Sequence, residues 1–510
     1  MLNEHTEEQS SSGKKSKNQK LIDLANEIAT PIRGTDGRNY VVLNQTPHIA
    51  IPHSGNNSKA VLTICNQFHI ATNDWVGTNG MNHLASYLTA QCGLSEPVEV
   101  HMRAGFSAGT IYLDNGTPDA ELIRINGTGV KLVNDCPIYF TRGAVISPFP
   151  ELSQSTIDLR EIRRFIRVDE GALPALIGCI IGMWMSNIPQ PIVFLHGSAG
   201  SGKTTSLRFI LDLVDPTTKM PGGALTENVR DLKSLAALRR VLVFDNASHV
   251  KSDASDHLAR IATGGEMTLR SLYENDLPHI TMLMRPIVIN GIMDGFTRGD
   301  LASRAISFEL SAIPKDEREA FSDLEMEWEL LKPEFFASIL NIASSMLANK
   351  VLQFQKVDSN HRNIDLMRVI AFVSEKLGID GIEYVEQSIK SLSRVVLGGN
   401  VVTEALRATI DCAIENTAGC SHRYSNFDNT PQPSEFFDTF FDLNKLKDIL
   451  ESHIPYDDRK ALPQTPKQLG EALKRVESEI RILFGVDFNK KSTNKGVRYS
   501  FSKVDAYERI

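Results

Sequence analysis

Residues 192–205 read I-V-F-L-H-G-S-A-G-S-G-K-T-T, an apolar run that passes directly into a glycine-rich one. The pattern G-x-x-x-x-G-K-[ST] is met by Gly197, Gly202, Lys203 and Thr204. Phosphate oxygens need several converging backbone N–H groups, and glycine supplies them without a Cβ clash. An apolar strand before the glycines and an apolar helix after them are the context in which this motif binds phosphate. The sequence therefore predicts a bound nucleoside triphosphate.

The positions of this loop have expected roles. Lys203 reaches the β- and γ-phosphates, the Thr204 hydroxyl is a ligand of Mg²⁺, and the following helix directs its N-terminus at the anion. The predicted nucleotide-binding residues are Gly197, Ser198, Ala199, Gly200, Ser201, Gly202, Lys203, Thr204 and Thr205. The guanine-specifying pattern N-K-x-D is absent from the sequence. ATP with Mg²⁺ is therefore the expected ligand.

The composition is that of an ordinary soluble protein. The 510 residues are 42% hydrophobic and 23% charged, with a net charge of −8, so no global basic field draws the chain onto nucleic acid. Six cysteines are scattered without paired spacing, which suits a reducing cytoplasm. The most apolar stretch, residues 175–185, is too short to span a bilayer and predicts a buried helix. We expect a cytoplasmic protein with no membrane partner.

The pattern along the chain predicts an α/β protein with several parts. They are a disordered polar tail (1–20), a mixed, β-rich α+β N-terminal domain (21–150), a P-loop ATPase core (151–315), a helical lid region (316–424) and a winged-helix-like C-terminal domain (438–510). Within the core, strands at 192–196, 241–245, 286–290 and 305–310 alternate with other segments, which predicts a parallel sheet with crossovers. The N-terminal domain shows no catalytic centre, and we expect His101 to be a surface histidine and Asp114 a strand-end aspartate.

Residues 241–246, V-L-V-F-D-N, form an apolar strand that ends in an acid. Asp245 is therefore the predicted carboxylate of the Mg²⁺ shell, although a solvated strand-end aspartate would look the same. Asn246 follows it, and an amide can orient water but cannot accept its proton. Slow hydrolysis is one consequence; the alternative is another acid as the base, from among Asp253, Asp256 and Glu266.

Two further polar residues flank later strands of the core. Asn290 ends the strand P-I-V-I-N and is predicted to sense the γ-phosphate or the attacking water, with a turn-forming asparagine as the alternative. Arg304 immediately precedes the next strand and is predicted to stabilise transition-state charge at a neighbouring subunit's γ-phosphate. Arg298 competes for that role, and a structural ion pair with Asp300 or Glu309 would explain either arginine.

The segment T-G-G-E-M-T-L-R-S-L-Y-E-N-D, residues 263–276, lies between the acidic strand and the Asn290 strand. The order of motifs over residues 192–310 resembles that of superfamily 3 helicases of the AAA+ type. The similar members are primase-helicase ATPases of phages, plasmids and large DNA viruses, of the virulence-associated-E and poxvirus types. Mobile-element ATPases with Asp-Asn in place of Asp-Glu are also similar, over most of the chain.

This resemblance implies a hairpin that projects into a ring channel. Arg270 and Tyr273 then contact single-stranded DNA, through a cation for phosphates and a π-face for bases. Alternatively, Tyr273 packs within the hairpin and Arg270 pairs with Glu266 or Glu274. In the C-terminal domain, Lys490, Lys491 and Lys495 lie on the wing and either bind the DNA backbone or form a solvated charged loop.

The sequence thus predicts a DNA helicase-like ATPase of a phage, plasmid or other mobile element, which acts in replication. The catalytic set is Lys203, Asp245, Asn246, Asn290 and Arg304, with Thr204 and Asp245 as metal ligands. The expected partners are single-stranded or forked DNA, further copies of the chain in a ring, and a primase or other replication protein. The alternative is an ATP-gated switch, loader or anti-phage ATPase with slow turnover and no unwinding.

Overall fold

The structure is a computed structural model. It describes residues 15–143, 146–217, 223, 225–226, 228–247, 252–269, 279–291, 299–314, 318–349, 356–398, 401–415, 436–437, 439–452, 459, 462–463, 465–475, 477, 480–481, 486–493 and 496–503.

The N-terminal part begins with three helices and a four-stranded sheet. Its elements are α1 (Lys17–Ile28), β1 (Ala29–Gly34), β2 (Asn39–Leu43), β3 (Ala50–His53), α2 (Lys59–Thr72), α3 (Thr78–Leu94) and β4 (Pro97–Val98). The strand order is β3-β2-β1-β4. Helix α1 starts inside the predicted polar tail, because the Ser16 hydroxyl accepts a hydrogen bond from the Gln19 backbone N–H and caps it. Residues 17–20 therefore belong to a helix, while residues 1–14 lie outside the described part.

A six-stranded sheet follows. Its strands are β5 (Val100–Met102), β6 (Ala104–Ser107), β7 (Thr110–Asp114), β8 (Leu122–Asn126), β9 (Gly129–Val133) and β10 (Tyr139–Thr141), in the order β10-β5-β6-β7-β8-β9. The β-rich prediction is confirmed here. His101, expected at the surface, is instead buried, at 7% exposed. Asp114 ends β7, as expected, and is fully buried. Asp114 is buried because Arg142 pairs with both of its carboxylate oxygens.

The central part contains a four-stranded parallel sheet. Two short 3-10 helices, Leu159–Arg164 and Glu170–Ala172, precede α4 (Leu173–Trp184), β11 (Ile192–His196), α5 (Lys203–Val214), α6 (Val229–Leu238), β12 (Leu242–Ala247), α7 (Ser252–Thr263), β13 (Glu266–Leu269), β14 (His279–Met282), β15 (Ile287–Gly291), α8 (Gly299–Ala302) and β16 (Ala305–Glu309). The parallel order β12-β15-β11-β16 confirms the predicted sheet with crossovers. Strands β13 and β14 pair antiparallel with each other.

Both faces of the parallel sheet are covered. Val193, Leu195 and Val288 belong to one hydrophobic cluster, whereas Ile192 and Phe194 belong to another. Side chains alternate along a strand, so the two clusters lie on opposite faces. Helix α4 is buried along its whole length, as its apolar sequence predicts. None of the described helices combines the length and apolarity needed to span a bilayer.

The C-terminal part is helical and then mixed. Its elements are α9 (Phe321–Ala348), α10 (Ile364–Leu377), α11 (Gly381–Gly398), α12 (Val401–Glu415), β17 (Phe441–Asp442), α13 (Leu443–Ser452), α14 (Pro466–Arg475), β18 (Val486–Thr493) and β19 (Gly496–Lys503). Strands β17, β19 and β18 form an antiparallel sheet around a separate hydrophobic cluster. Helix α9 packs against β8, where the Ser344 hydroxyl donates to the Asn126 carbonyl at 2.7 Å. The six-stranded sheet thus shares a core with the helical region.

Candidate functional site

The glycine-rich loop of residues 197–202 connects the end of β11 to the start of α5. Gly197 has φ 152°, and a Cβ there would lie 2.6 Å from the Leu310 carbonyl oxygen. Gly202 has φ 78°, in the left-handed region. Neither position accepts a larger residue without strain, because the first would clash and the second would leave the allowed backbone region. Within this loop Ser198, Ala199 and Gly200 are exposed, whereas Ser201 is fully buried.

A positive charge lies within the loop. Lys203, the first residue of α5, donates from its Nζ to the carbonyl oxygens of Gly197 at 2.9 Å and Ser198 at 3.0 Å. No side chain caps the N-terminus of α5. The first N–H groups of a helix and its dipole favour an anion at that end. The loop, the lysine and the helix end therefore create an environment suited to phosphate.

Three polar side chains meet beside the loop. The Asn290 side-chain amide donates to Asp245 Oδ1 at 2.6 Å and to Thr204 Oγ1 at 3.4 Å. The Thr204 hydroxyl lies 3.3 and 3.4 Å from the two carboxylate oxygens of Asp245. These residues come from the ends of β12 and β15 and from the first turn of α5. In a parallel sheet the carboxyl ends of the strands share one edge, and this topology brings the three together.

Asn246 has an unusual backbone. Its φ is 58°, and the pairing of β12 with β15 shifts register between Phe244 and Ala247, which makes a β-bulge. Asparagine tolerates the left-handed region better than most residues, whereas glutamate does not. Its side chain is exposed and, within the described part of the chain, does not bond to Thr204, Asp245 or Asn290. The bulge therefore gives a conformational reason for the asparagine.

His196 ends β11 directly beneath the loop and is 8% exposed. Burial lowers the pKa of His196, and the nearby Lys203 ammonium lowers this pKa further, while Glu309 acts in the opposite sense. The imidazole is therefore neutral at neutral pH and adds no charge to the loop.

A cleft of about 320 Å³ opens along one side of the loop and the first turn of α5. Sequence reasoning missed it, because its walls come from segments far apart in the chain. They are Arg164, Phe165, Arg167, Gly200, Gly202, Thr205, Ser206, Ile313, Arg318, Glu319, Phe321 and Leu324. The Arg164 guanidinium donates to Glu319 at 2.6 Å and to Glu327 at 3.1 Å. Both carboxylates raise the pKa of Arg164, and the hydrogen bond to Glu319 has the larger effect. The cleft is thus lined by both apolar side chains and guanidinium groups, and it lies next to the glycine-rich loop.

A larger cavity, about 420 Å³, lies elsewhere, between Phe106, Asn187, Met346 and Arg368. It contains none of the residues of the loop. The smaller cleft, by contrast, is lined by Gly200 and Gly202 of the loop and by Thr205 of α5.

Arg304 does not join this cluster. It immediately precedes β16, and the pairing of Ile192 with Ala305 and of His196 with Glu309 places it at the amino edge of the sheet. Arg304 is level with Pro191, six residues before Gly197, so the loop at the carboxyl edge is about 20 Å away along the strand, at about 3.3 Å per residue. Arg304 is half-buried there. Within one chain, the structure brings together Lys203, Thr204, Asp245 and Asn290 but not the arginine.

The predicted DNA-contacting residues are only partly described. Arg270, Tyr273, Lys495 and the competing arginine, Arg298, lie outside the described residues. Lys490 and Lys491 are exposed neighbours on β18, where they pair with Tyr499 and Arg498. Successive residues of a strand point to opposite faces, so these two lysines do not share one surface. A DNA backbone on one face of β18 would therefore contact Lys490 or Lys491 but not both.

Comparison with known proteins adds one finding about function. Residues 161–393 match the family described as "Actinomycete integrative conjugative element replication protein". The match includes the loop, the polar cluster and Arg304, but covers less than half of the chain. This part of the chain is similar to a replication protein of a mobile element.

The solved structures that match this chain are distant from it in sequence. "The A form apo structure of NrS-1 C terminal region-CTR" is 11% identical, with a TM-score of 0.42, covering 94% of this chain and 98% of that one. "The apo structure of NrS-1 C terminal region (305-718)" is 11% identical, with a TM-score of 0.41, covering 96% and 99%. No curated protein matches the sequence.

Proposed function

We propose that this chain binds and hydrolyses ATP through residues 197–205, and acts as a ring on single-stranded DNA in the replication of a mobile element. The observation that carries the proposal is the cluster of Thr204, Asp245 and Asn290 next to Lys203. In this proposal the central sheet is a P-loop core of the AAA+ type, and the C-terminal unit is a winged helix. The similarity of residues 161–393 to a mobile-element replication protein supports the biological setting.

The residues of the cluster have the chemistry that this function requires. The Thr204 hydroxyl and the Asp245 carboxylate are hard oxygen donors within 3.4 Å of each other, as Mg²⁺ prefers. These two residues would hold the ion, whose charge would neutralise phosphate oxygens. The Lys203 ammonium, which now donates to the carbonyl oxygens of Gly197 and Ser198, would donate to phosphate oxygens instead. The N–H groups of the loop would donate to the same anion. The Asn290 amide would orient the attacking water.

The cleft beside the loop supports a nucleotide as the ligand. A base that extends from phosphates bound at the loop would enter between Phe321, Ile313 and the guanidinium groups of Arg164 and Arg318. Aromatic and guanidinium planes both stack on nucleobases. The absence of the guanine-specifying pattern favours adenine.

The position of Arg304 supports a ring. An arginine about 20 Å from its own loop along the strand direction, at about 3.3 Å per residue, cannot contact phosphates bound there. It would instead stabilise the transition state in a neighbouring copy. A head-to-tail contact of this kind closes into a ring when its rotation permits.

Asn246 supports a second candidate function, an ATP-gated switch with slow turnover. Its amide cannot act as a general base. The carboxylate in the hydrogen-bonded cluster of Thr204 and Asn290 is that of Asp245, which this function assigns to Mg²⁺. Nucleotide binding would then drive assembly on DNA without rapid hydrolysis.

The experiment that tests the proposal measures ATP binding and phosphate release for the purified chain and for Lys203→Ala. Loss of one such electrostatic contact lowers turnover by about 10²–10³-fold. Lys390→Ala, which removes an exposed lysine on α11, is the matched control and should behave as the wild type. Equal ATP binding and phosphate release by wild type and Lys203→Ala would refute the assignment of the loop.

A further inference from the structure

Trp75 is the exposed tryptophan of the chain. It lies in the connection between α2 and α3 and is 71% exposed, whereas Trp184 and Trp328 are fully buried. An indole ring carries a large apolar surface, and tryptophan is enriched where proteins contact their partners. The proposed nucleotide site does not involve this residue.

Trp75 is held in place by its neighbours. The His69 ring stacks against it, with centroids 4.1 Å apart and planes 23° from parallel. The Trp75 backbone N–H donates to Asp74 Oδ1 at 2.9 Å, and Lys17 Nζ donates to the same carboxylate oxygen at 2.7 Å and also to the Trp75 carbonyl oxygen. One face of the indole is thus covered by imidazole. The high exposure of the residue leaves the other face open to a flat partner.

The surroundings of Trp75 are polar and slightly basic. A cleft of about 320 Å³ begins at the next residue, with Leu21 and Val76 as its apolar lining and Asn18, Thr78 and Asn79 among its polar lining. Lys17 and Lys20 lie in the first turn of α1, and Lys15 immediately precedes the N-cap of that helix. Lys15 pairs with Asp23 and Lys17 with Asp74, which leaves the group with one more positive charge than negative.

We infer that this surface, the aromatic platform of His69, Trp75, Lys17, Asn18 and Lys20, binds single-stranded DNA by stacking a base on Trp75. The inference rests on the proposed action on DNA and adds a contact outside the central core. Bases stack on aromatic side chains whatever their sequence, while lysines attract the phosphates. A protein partner would favour an apolar centre depleted of charge, whereas lysines and amides surround Trp75.

Tryptophan fluorescence gives a direct test, because Trp184 and Trp328 are fully buried. Titration of the full chain with an oligothymidylate of about 20 nucleotides should quench the emission of Trp75 by base stacking. The affinity itself is measured by the fluorescence anisotropy of a labelled oligonucleotide. Trp75→Ala should weaken binding by about tenfold, and Trp75→Phe, which keeps an aromatic ring, should weaken it less. Ile70→Ala is the matched control, because Ile70 is 75% exposed but has no π-face. It should bind as the wild type does.

The outcomes separate this inference from the proposed function. Unchanged DNA affinity in Trp75→Ala would overturn the inference, while ATP hydrolysis by the same variant would leave the proposed function intact. Equal losses in Trp75→Ala and Ile70→Ala would also overturn it, because they indicate an apolar protein-type contact. Quenching and a Trp75-dependent affinity in a chain that hydrolyses no ATP would support the inference and refute the hydrolysis.

Discussion

At the residue scale, Asn246 combines a backbone requirement with a chemical one. It occupies the left-handed region in the bulge that ends β12, and it follows the carboxylate of the cluster. The sequence shows the asparagine but not the bulge, because register shifts arise from the pairing of distant strands. The motif order could predict that Asp245 and Asn290 meet. It could not predict the conformation between them.

Two substitutions of Asn246 test the backbone requirement. Asn246→Glu should lower the free energy of unfolding by about 1–2 kcal/mol, because a side chain with a long stem disfavours a positive φ. Asn246→Gly should stay close to the wild type, because glycine adopts this conformation freely. Denaturant unfolding measures both values. A glutamate variant as stable as the wild type would show that the bulge imposes no strain.

Buried histidines give the protein a sensitivity to acid. Burial is the main cause that lowers the pKa of His361 to about 4, from 6.5, while hydrogen bonds with the backbone of Arg304 and Asn363 oppose this shift. Burial likewise lowers the pKa of His101 to about 4, with Arg240 and Arg285 contributing. Below pH 6.5 the unfolded chain takes up protons that the folded chain does not. The stabilisation is therefore complete above that pH and decreases as the pH falls toward about 4.

Each such histidine should contribute a slope of up to about 1.4 kcal/mol per pH unit to the free energy of unfolding in that window. His361→Gln should make the dependence on pH shallower by about one such slope. His83→Gln, at an exposed position, is the control and should leave the slope unchanged. Denaturant unfolding at several pH values measures this slope. An unaltered slope in His361→Gln would show that His361 does not cause the sensitivity to acid.

At the element scale, close helix packing holds the central core. Gly178 of the fully buried α4 faces α10, and a Cβ there would lie 2.5 Å from Ile370 Cγ1 and 3.1 Å from its Cα. The apolar sequence of α4 predicts its burial. It does not reveal which glycine meets which helix, because that depends on how segments far apart in the chain pack. The walls of the cleft, Arg164 and Arg318, escaped prediction for the same reason.

Two helical glycines should respond oppositely to alanine. Gly178→Ala should lower the free energy of unfolding by about 1–3 kcal/mol, because a backbone atom stands in the way of the added methyl. Gly93→Ala in α3 should raise it by about 0.5–1 kcal/mol, because nothing lies within 4 Å and alanine favours the helix. Thermal or denaturant unfolding tests both. Stabilisation by Gly178→Ala would contradict the packing described for α4 and α10.

At the scale of the whole molecule, a buried ion pair joins the N-terminal six-stranded sheet to the end of helix α5. Arg103, 1% exposed, lies 3.5 Å from Asp215, which follows α5, and stacks over Phe149 at 4.2 Å. Burial raises the pKa of Asp215 while Arg103 opposes that shift. Helix α5 begins at Lys203, so one helix connects the loop to the N-terminal part.

Breaking this pair should destabilise the whole chain. Asp215→Ala should lower the free energy of unfolding by about 3–5 kcal/mol, because the buried guanidinium of Arg103 would lose the carboxylate that balances its charge. Arg103→Met combined with Asp215→Ala should cost less than the sum of the single changes. A double-mutant cycle measures the difference. Additive losses would show that the two residues do not interact.

Mixed subunits test the role of Arg304 between copies. Lys203→Ala and Arg304→Ala should each be inactive alone. Mixed in equal amounts, they should regain about a quarter of the wild-type phosphate release, since about one in four head-to-tail interfaces then has both residues intact. No recovery in mixed assemblies would place the arginine outside the neighbour's site.

The most direct test of the central claim is the rate of phosphate release by the wild-type chain with and without single-stranded DNA. We expect Mg²⁺-dependent turnover that rises on addition of DNA and is lost in Lys203→Ala. Binding of ATP without turnover, with or without DNA, would contradict the proposed ATPase that acts on DNA and would favour the nucleotide-gated switch.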